Sequence, residues 1–227
     1  MKTTILFLFL ITSIIQPVQE EVYIEGERKA KISTEFGDMI IRLYDDTPLH
    51  KANFIRNVES GLYNNTLFHR VIPYFMMQGG DPGSIGAPMT KGLGQDSCPQ
   101  IPAEIRPGYF HKKGALAAAR LPDNMNPDRA SSGCQFFVVQ GFKHNDNQLI
   151  NSGKILTSIQ KAWYKVRGGY PFLDNDYTIF GEVIEGLEVI DLIGSMETHQ
   201  VGVNKDRPLE DIKMTVTMLN WSLKMTS

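Results

Sequence analysis

The sequence contains little cysteine and little net charge. Its 227 residues include two cysteines, and 23 Lys+Arg against 25 Asp+Glu give a formal net charge of −2 at pH 7. Because no Cys-x-x-Cys pair and no His-Glu-x-x-His pattern occurs, the common zinc motifs are excluded, and neither a metal nor a cofactor is predicted. A chain this close to neutral has no general attraction to nucleic acid. Glycine-rich phosphate-binding motifs are also missing, so nucleotide binding is not predicted.

The sequence also lacks an apolar run long enough to cross a membrane. Its longest such segment, residues 5–15, is shorter than the roughly 20 residues that a bilayer requires. Lys2 precedes this segment and polar residues 16–20 follow it, which is typical of a secretory signal. We therefore predict a signal peptide at residues 1–19 and an exported mature protein, periplasmic or secreted, at 20–227. A buried first strand or helix is the alternative, since no Ala-x-Ala cleavage site is present.

The remaining chain has the composition of one globular domain rich in short strands. Alternating apolar residues predict two strands between residues 28 and 44, and further β-like runs occur at 67–72, 75–78, 114–119, 135–140, 177–183 and 212–219. Thr47 and Pro48 predict the start of a helix that Gly61 ends, and a second helix is expected at 187–194. This pattern indicates an all-β fold, a closed or nearly closed barrel covered by two helices.

Two segments interrupt the strand pattern. Residues 79–105 are rich in Gly, Pro and Ser and predict a long surface loop. Residues 142–171 have a local charge of +4 and carry an apolar stripe at helical spacing: Ile155, Ile159, Ala162 and Val166. We predict an amphipathic helix here that packs this stripe on the barrel and offers its lysines to partners. The alternative is a solvated insertion without a role.

The most informative segment is residues 68–81, which read FHRVIPYFMMQGGD. It places one arginine, Arg70, close to aromatic and thioether side chains and to Gln78, ahead of two glycines. From the pattern alone, a barrel strand with one surface arginine explains it equally well. However, the segment resembles the signature of the cyclophilin family of peptidyl-prolyl cis–trans isomerases, in its bacterial-like exported form. Four further blocks at 114–120, 132–138, 172–174 and 177–183 resemble the family in the same order.

The resemblance implies an eight-stranded antiparallel closed barrel with two capping helices, here with an extra helical insertion at 142–171. It also implies a groove on the outer face of the barrel that holds a proline-containing peptide. By position, the expected catalytic residues are Arg70, Phe75, Gln78 and Phe137. The expected substrate-binding residues are Met76, Ala119, Arg120, Gln135, Phe172, Leu173 and Tyr177. Without the resemblance, the apolar members of this set would be assigned to the core.

The chemistry of rotation about an X–Pro bond suits these residue types. No bond is broken, so no nucleophile or metal is required; the barrier falls when the twisted amide is favoured over the planar one. Arg70 is expected to donate a hydrogen bond toward the proline nitrogen, and Gln78 and Gln135 to orient it. Backbone groups of Ala119 and Arg120 are expected to hold the peptide.

The sequence departs from the commonest family pattern at two groove positions. Well-known members of the family have Trp and His where this chain has Phe172 and Tyr177.

Cys98 and Cys134 are predicted to form a disulfide that holds the long loop beside Gln135. Two separate thiols are the alternative.

The expected partners are proline-containing peptides and unfolded exported proteins, with no stable membrane span after signal cleavage, and the protein is expected to be a monomer. A non-catalytic peptide-binding or chaperone module on the same barrel is the alternative function. Retention of Arg70 favours the enzyme, because a protein that only binds peptides does not need it.

Overall fold

A computed structural model describes residues 28–95 and 98–219 of the chain. The predicted signal peptide, residues 1–19, lies outside the described residues. Within the described ranges, no helix has the length and apolar character that crossing a membrane requires.

Short strands are the most numerous elements among the described residues. The strands are β1 Lys29–Thr34, β2 Gly37–Leu43, β3 Thr66–Leu67, β4 Arg70–Ile72, β5 Met76–Gly79, β6 Gln100–Ile101, β7 Ala115–Ala118, β8 Ser131–Ser132, β9 Phe136–Val139, β10 Ile179–Glu185 and β11 Lys213–Met218. The predicted strand runs are found with small shifts at their ends, except the run at 67–72, which is divided into β3 and β4. The two-residue strands β6 and β8 are too short to give a periodic signal, and the sequence analysis missed them.

Within the described residues, four α-helices accompany the strands: α1 Pro48–Glu59, α2 Asp146–Asn151, α3 Ser158–Val166 and α4 Leu187–Gly194. The predicted start of α1 is confirmed, with Thr47 at the N-cap position and Pro48 as its first residue. α2 and α3 both lie in the 142–171 insertion. Each begins with a capping box, formed by Asn145 and Gln148 in α2 and by Thr157 and Gln160 in α3.

The strands form a curled nine-stranded antiparallel sheet and a separate two-stranded sheet. The order in the large sheet is β3-β11-β1-β2-β10-β7-β9-β5-β4, and β6 pairs with β8. The end strands β3 and β4 are consecutive in the chain, but they pair with β11 and β5 and not with each other. The expectation of an eight-stranded closed barrel is therefore not confirmed. The predicted single strand at 67–72 is divided at Phe68 and His69, where the chain passes from one end of the sheet to the other.

The two faces of the sheet support two apolar clusters. Along β9, Phe136 and Val138 face the main core, which α1 and α4 cover, whereas Phe137 and Val139 belong to a second cluster on the opposite face. This division follows from the two-residue periodicity of a strand. The second cluster includes several residues that the sequence assigned to the groove, so the fold alone places that surface away from the main core.

The insertion does contain a helix, but its buried face is not the predicted one. Ile155, Ile159 and Val166 are 98%, 75% and 63% exposed, so the apolar stripe does not pack on the sheet. The buried residues of α3 are Gln160 and Tyr164. Hydrogen bonds account for the burial of both side chains. Gln160 completes the capping box, and the Tyr164 hydroxyl donates to a buried carboxylate. Helical periodicity correctly predicted an amphipathic helix and gave the wrong face.

The predicted disulfide between Cys98 and Cys134 is confirmed. It joins residues that are 36 apart in sequence and ties the long loop to the chain just before β9. The Cys134 side chain is buried, and the carbonyls on either side of it accept hydrogen bonds from α1 and its C-terminal loop: Gly133 from Asn53 and Asn57, and Cys134 from Tyr63. The bridge therefore closes onto an already ordered part of the structure.

Loss of the disulfide should destabilise the protein by increasing the entropy of the unfolded chain. For the double substitution Cys98→Ser and Cys134→Ser, we expect the free energy of unfolding to fall by about 3–4 kcal/mol. Urea denaturation of the wild type with and without a dithiol reductant, alongside the double variant, measures this. A reductant should lower the midpoint of the wild type and leave that of the variant unchanged. Equal midpoints for all three samples would contradict the prediction.

Candidate active site

A chain of three polar side chains crosses the outer face of the sheet. Arg70 on β4 is the register partner of Gln78 on β5, and its Nη1 lies 3.5 Å from Gln78 Oε1. Gln78 Nε2 in turn donates to Gln135 Oε1 at 2.8 Å. The Arg70 side chain is 43% exposed, and its Nε lies 3.4 Å from Asp206 Oδ2. Arg70 is thus oriented from two sides while its guanidinium remains accessible to a ligand; its contact with Gln78 was expected from the sequence, and its pairing with Asp206 was not.

An apolar pocket lies beside this arginine. Phe137 forms part of it and contacts the Tyr177 ring edge-on, with ring centroids 5.5 Å apart. Phe75 is supported by Tyr170, whose ring centroid is 4.3 Å away. Met76 is almost fully buried next to them. The cleft encloses about 380 Å³ of empty space. It offers an apolar cavity bordered by two cations, Arg70 on one side and Arg120 on the other.

Nine residues line this cleft, and the sequence analysis named all of them: Arg70, Phe75, Met76, Gln78, Ala119, Arg120, Phe137, Leu173 and Tyr177. Two predicted residues do not line it. Gln135 lines a neighbouring cleft and reaches the site through Gln78. Phe172 is 39% exposed and packs on Tyr170 instead.

The far side of the cleft is held by Arg120. Its guanidinium carbon lies 4.6 Å from the centre of the Tyr177 ring, and its Nε donates to the Asp176 carbonyl at 2.8 Å. At Ala119, the N–H donates to the Gln135 carbonyl and the C=O accepts from the Ser132 N–H. The Ala119 N–H is therefore already used within the fold. The backbone of Ala119 was expected to hold a peptide. Only the second lone pair of its carbonyl oxygen remains able to do so.

A buried hydrogen-bonded cluster behind the pocket was missed by the sequence analysis. Asp174, the residue after Leu173, accepts hydrogen bonds from the His111 N–H at 2.8 Å and from the Tyr164 hydroxyl at 2.7 Å. The His111 ring stacks parallel to Phe137 with centroids 6.1 Å apart. Burial raises the pKa of Tyr164 far above its ordinary value, and Asp174 adds to this. The only sequence signal was the acidic residue within the FLD block.

The outer face of the curled antiparallel sheet carries an arginine and two glutamines beside an aromatic pocket, so hydrogen-bonding groups border an apolar cavity. The sequence matches the cyclophilin-type peptidyl-prolyl cis–trans isomerase family over residues 29–218. The chain belongs to that family, as the motifs predicted.

Individual relatives agree with this assignment. A putative peptidyl-prolyl cis–trans isomerase of Staphylococcus haemolyticus is 35% identical over 83% of this chain and 89% of its own length. A putative bifunctional phosphatase/peptidyl-prolyl cis–trans isomerase of Streptococcus pyogenes is also 35% identical, but the match spans only 37% of that longer protein. The fold resembles a crystal structure of a Cryptosporidium parvum cyclophilin-type isomerase, with a TM-score of 0.63 and 22% identity over 87% of this chain and all of that chain. The same parasite protein was also crystallised in the presence of the dipeptide Ala-Pro.

The buried histidine of the Asp174 cluster should make stability depend on pH. Burial lowers the pKa of His111 below its ordinary value of 6.5, although its hydrogen bond to Asp174 opposes the shift. The unfolded chain therefore binds a proton that the folded protein excludes, and stability falls as pH drops below 6.5. Because burial also lowers the pKa values of His50 and His69, the loss is expected to reach about 1.4 kcal/mol per pH unit for each histidine.

Urea denaturation between pH 7.5 and pH 5 measures the loss, and ring NMR signals report each histidine. In the folded protein the His111 ring should titrate below the midpoint found in urea-unfolded protein. A folded-state midpoint at or above the unfolded one would contradict the prediction.

Proposed function

We propose that the cleft beside Arg70 binds the X–Pro segment of a polypeptide and catalyses rotation about its peptide bond. The pyrrolidine ring would enter the apolar pocket formed by Phe75, Met76, Phe137 and Leu173. The observation that carries this assignment is the accessible Arg70 guanidinium, held by Gln78 and Asp206 at the edge of that pocket.

The reaction requires only that the twisted amide be bound better than the planar one. Rotation about a peptide bond is opposed by about 18–20 kcal/mol because the C–N bond has partial double-bond character. In the twisted state the nitrogen regains its lone pair and becomes a hydrogen-bond acceptor. Arg70 then donates to an atom that accepts poorly in the ground state, which is the differential binding that lowers a barrier. The guanidinium stays charged throughout, so no proton is transferred.

Packing behind the groove supports its aromatic walls. Tyr170 supports Phe75, and His111 supports Phe137, so the aromatic walls are fixed from behind. Gln78 and Gln135 fix the plane of the hydrogen-bonding groups. This support holds the proline ring in place while the rest of the peptide rotates about the X–Pro bond. Groups that are misplaced would lose much of their effect on the barrier.

The second candidate is a non-catalytic module that binds proline peptides or unfolded chains. The surface of the 142–171 insertion favours it in one respect, because large apolar side chains such as Ile155 and Ile159 are exposed there. A binding module has no use for the Arg70–Gln78–Gln135 chain, and we therefore place catalysis first.

The proposed clients are unfolded exported proteins, on which the protein acts as a monomer in the periplasm or outside the cell. Two features support an exported location. Lys2 followed by the apolar segment 5–15 is typical of a secretory signal. The Cys98–Cys134 disulfide is of a kind that persists in oxidising compartments.

Substitution of Arg70 tests the catalytic role. For Arg70→Ala we expect kcat/KM on a short proline peptide to fall about ten-fold or more, which corresponds to roughly 1.4 kcal/mol of lost transition-state stabilisation. Arg70→Lys should recover only part of the loss, because an ammonium lacks the planar guanidinium fork. A protease-coupled isomerisation assay measures the rates.

Arg56→Ala is the matched control, because Arg56 is an exposed arginine on α1 whose guanidinium contacts only Asn53 within the described residues. It should leave the rate unchanged. A wild-type rate no faster than the uncatalysed reaction would instead support the non-catalytic module, whereas equal rates for wild type and Arg70→Ala would remove the arginine from the mechanism.

Export of the full-length chain tests the location. When the chain is expressed with its first 27 residues in a bacterial host, we expect it outside the cytoplasm with a new N-terminus near residue 20, because the signal would be removed. Fractionation followed by mass spectrometry measures both. A chain that starts at residue 20 is the control and should stay in the cytoplasm. Retention of the intact N-terminus in the cytoplasm would contradict the proposal.

A further inference from the structure

A second cleft adjoins the proline pocket and shares part of its wall. Arg70, Gln78 and Arg120 line both cavities. The second cleft extends from them to two loops, residues 93–95 and residues 203–207, and encloses about 670 Å³ of empty space. A peptide bound with its proline in the first cavity therefore has a neighbouring residue within reach of the second.

The described lining of the second cleft is positively charged. Among the described residues that line it, four carry a cationic side chain and none carries a carboxylate: Arg70, Arg120, Lys205 and Arg207. The three arginines have acidic partners outside the lining, namely Asp206 for Arg70, Asp123 for Arg120 and Asp211 for Arg207.

Lys205 differs from these arginines. It is exposed, and within the described ranges 28–95 and 98–219 its ammonium makes no ion pair. The positive charge of the cleft is therefore least compensated at Lys205, which is the residue best placed to pair with a ligand.

A buried histidine also lines the same cleft. His69 is only 4% exposed, and among the described residues neither of its ring nitrogens has a well-aligned hydrogen-bond partner. Burial lowers its pKa, although Asp81 and the Leu67 backbone oppose the shift, so at neutral pH the ring is neutral with one N–H. A Cβ at Gly94 would lie 3.5 Å from His69 Nε2, so the ring packs closely against the backbone at Gly94.

We propose that this cleft is a specificity site for a carboxylate side chain, Asp or Glu, adjacent to the substrate proline. The inference rests on the proposed function, since it assumes that the first cavity holds the proline. A carboxylate has the charge opposite to that of Lys205 and the surrounding arginines. It only accepts hydrogen bonds, and these side chains only donate them. The cleft thus selects acidic sequences around the proline over basic ones.

A peptide series tests this selection. Each of the two positions before and the two positions after the proline is occupied in turn by Glu, Gln or Lys in an otherwise alanine-rich peptide. At one position we expect kcat/KM for Glu to exceed that for Gln by about three- to five-fold, the range of a partly exposed ion pair, and Lys to be poorest. The preference should weaken as salt is raised. NMR exchange spectroscopy measures cis–trans rates without a protease whose own specificity would interfere.

The variant Lys205→Gln should abolish the preference for Glu while leaving the rate on the Gln peptide nearly unchanged. Lys161→Gln is the matched control, because Lys161 is an exposed lysine of α3 that does not line the cleft. This control should keep the full preference. Thermal unfolding of both variants establishes that each is folded.

The two proposals fail in different ways. If the protein accelerates isomerisation of all peptides equally, the acidic specificity site is wrong and the isomerase function stands. Equal loss of the preference in both lysine variants would also overturn the site, because the effect would then come from overall charge. If no peptide is isomerised, the proposed function itself fails.

Discussion

The register between three neighbouring strands is the constraint on which the groove depends. Arg70 of β4 pairs with Gln78 of β5, and Gln78 pairs with Phe137 of β9, so one row across the sheet contains the cation, the residue that orients it and an aromatic wall of the pocket. A shift of one residue in either ladder would turn these side chains toward the main core. The same shift would expose Met77 and Phe136, which are buried in that core. The groove and the core are therefore fixed by one pairing pattern, and neither can change alone.

A second set of interactions fixes the groove from behind and joins it to the insertion. Asp174 lies at the end of the segment that carries Leu173, and it accepts hydrogen bonds from His111 and from Tyr164 of α3. A buried carboxylate that loses such a donor keeps its desolvation cost without compensation. Lys154 of the insertion also pairs with Asp176, one residue from Tyr177. The insertion therefore contacts the 174–177 segment at two points, Asp174 and Asp176. It supports the pocket through these contacts.

Much of this architecture was predictable from the sequence, and the failures have physical causes. Alternation predicted β1 and β2, each of which has one face in the main core, and short apolar runs predicted strands such as β9, whose two faces pack into two clusters. The family motifs gave every residue that lines the cleft, because those residues lie in contiguous blocks. The sequence could not show that residues 66–72 divide into β3 and β4, since that depends on partners far away in the chain. Periodicity also could not decide which face of α3 is buried. The buried face is set by Tyr164, whose hydroxyl donates to Asp174, and the isoleucine and valine side chains of the apolar stripe remain exposed.

The site separates groups that respond to pH from the group that acts on the substrate. The guanidinium of Arg70 keeps its charge over the physiological range, and rotation about an amide transfers no proton, so the chemical step itself has no titrating participant. The histidines whose pKa values are lowered, His50, His69 and His111, are all buried. Acid therefore acts on this protein first through the stability of its folded state. The mechanism therefore stays intact on acidification for as long as the sheet remains folded.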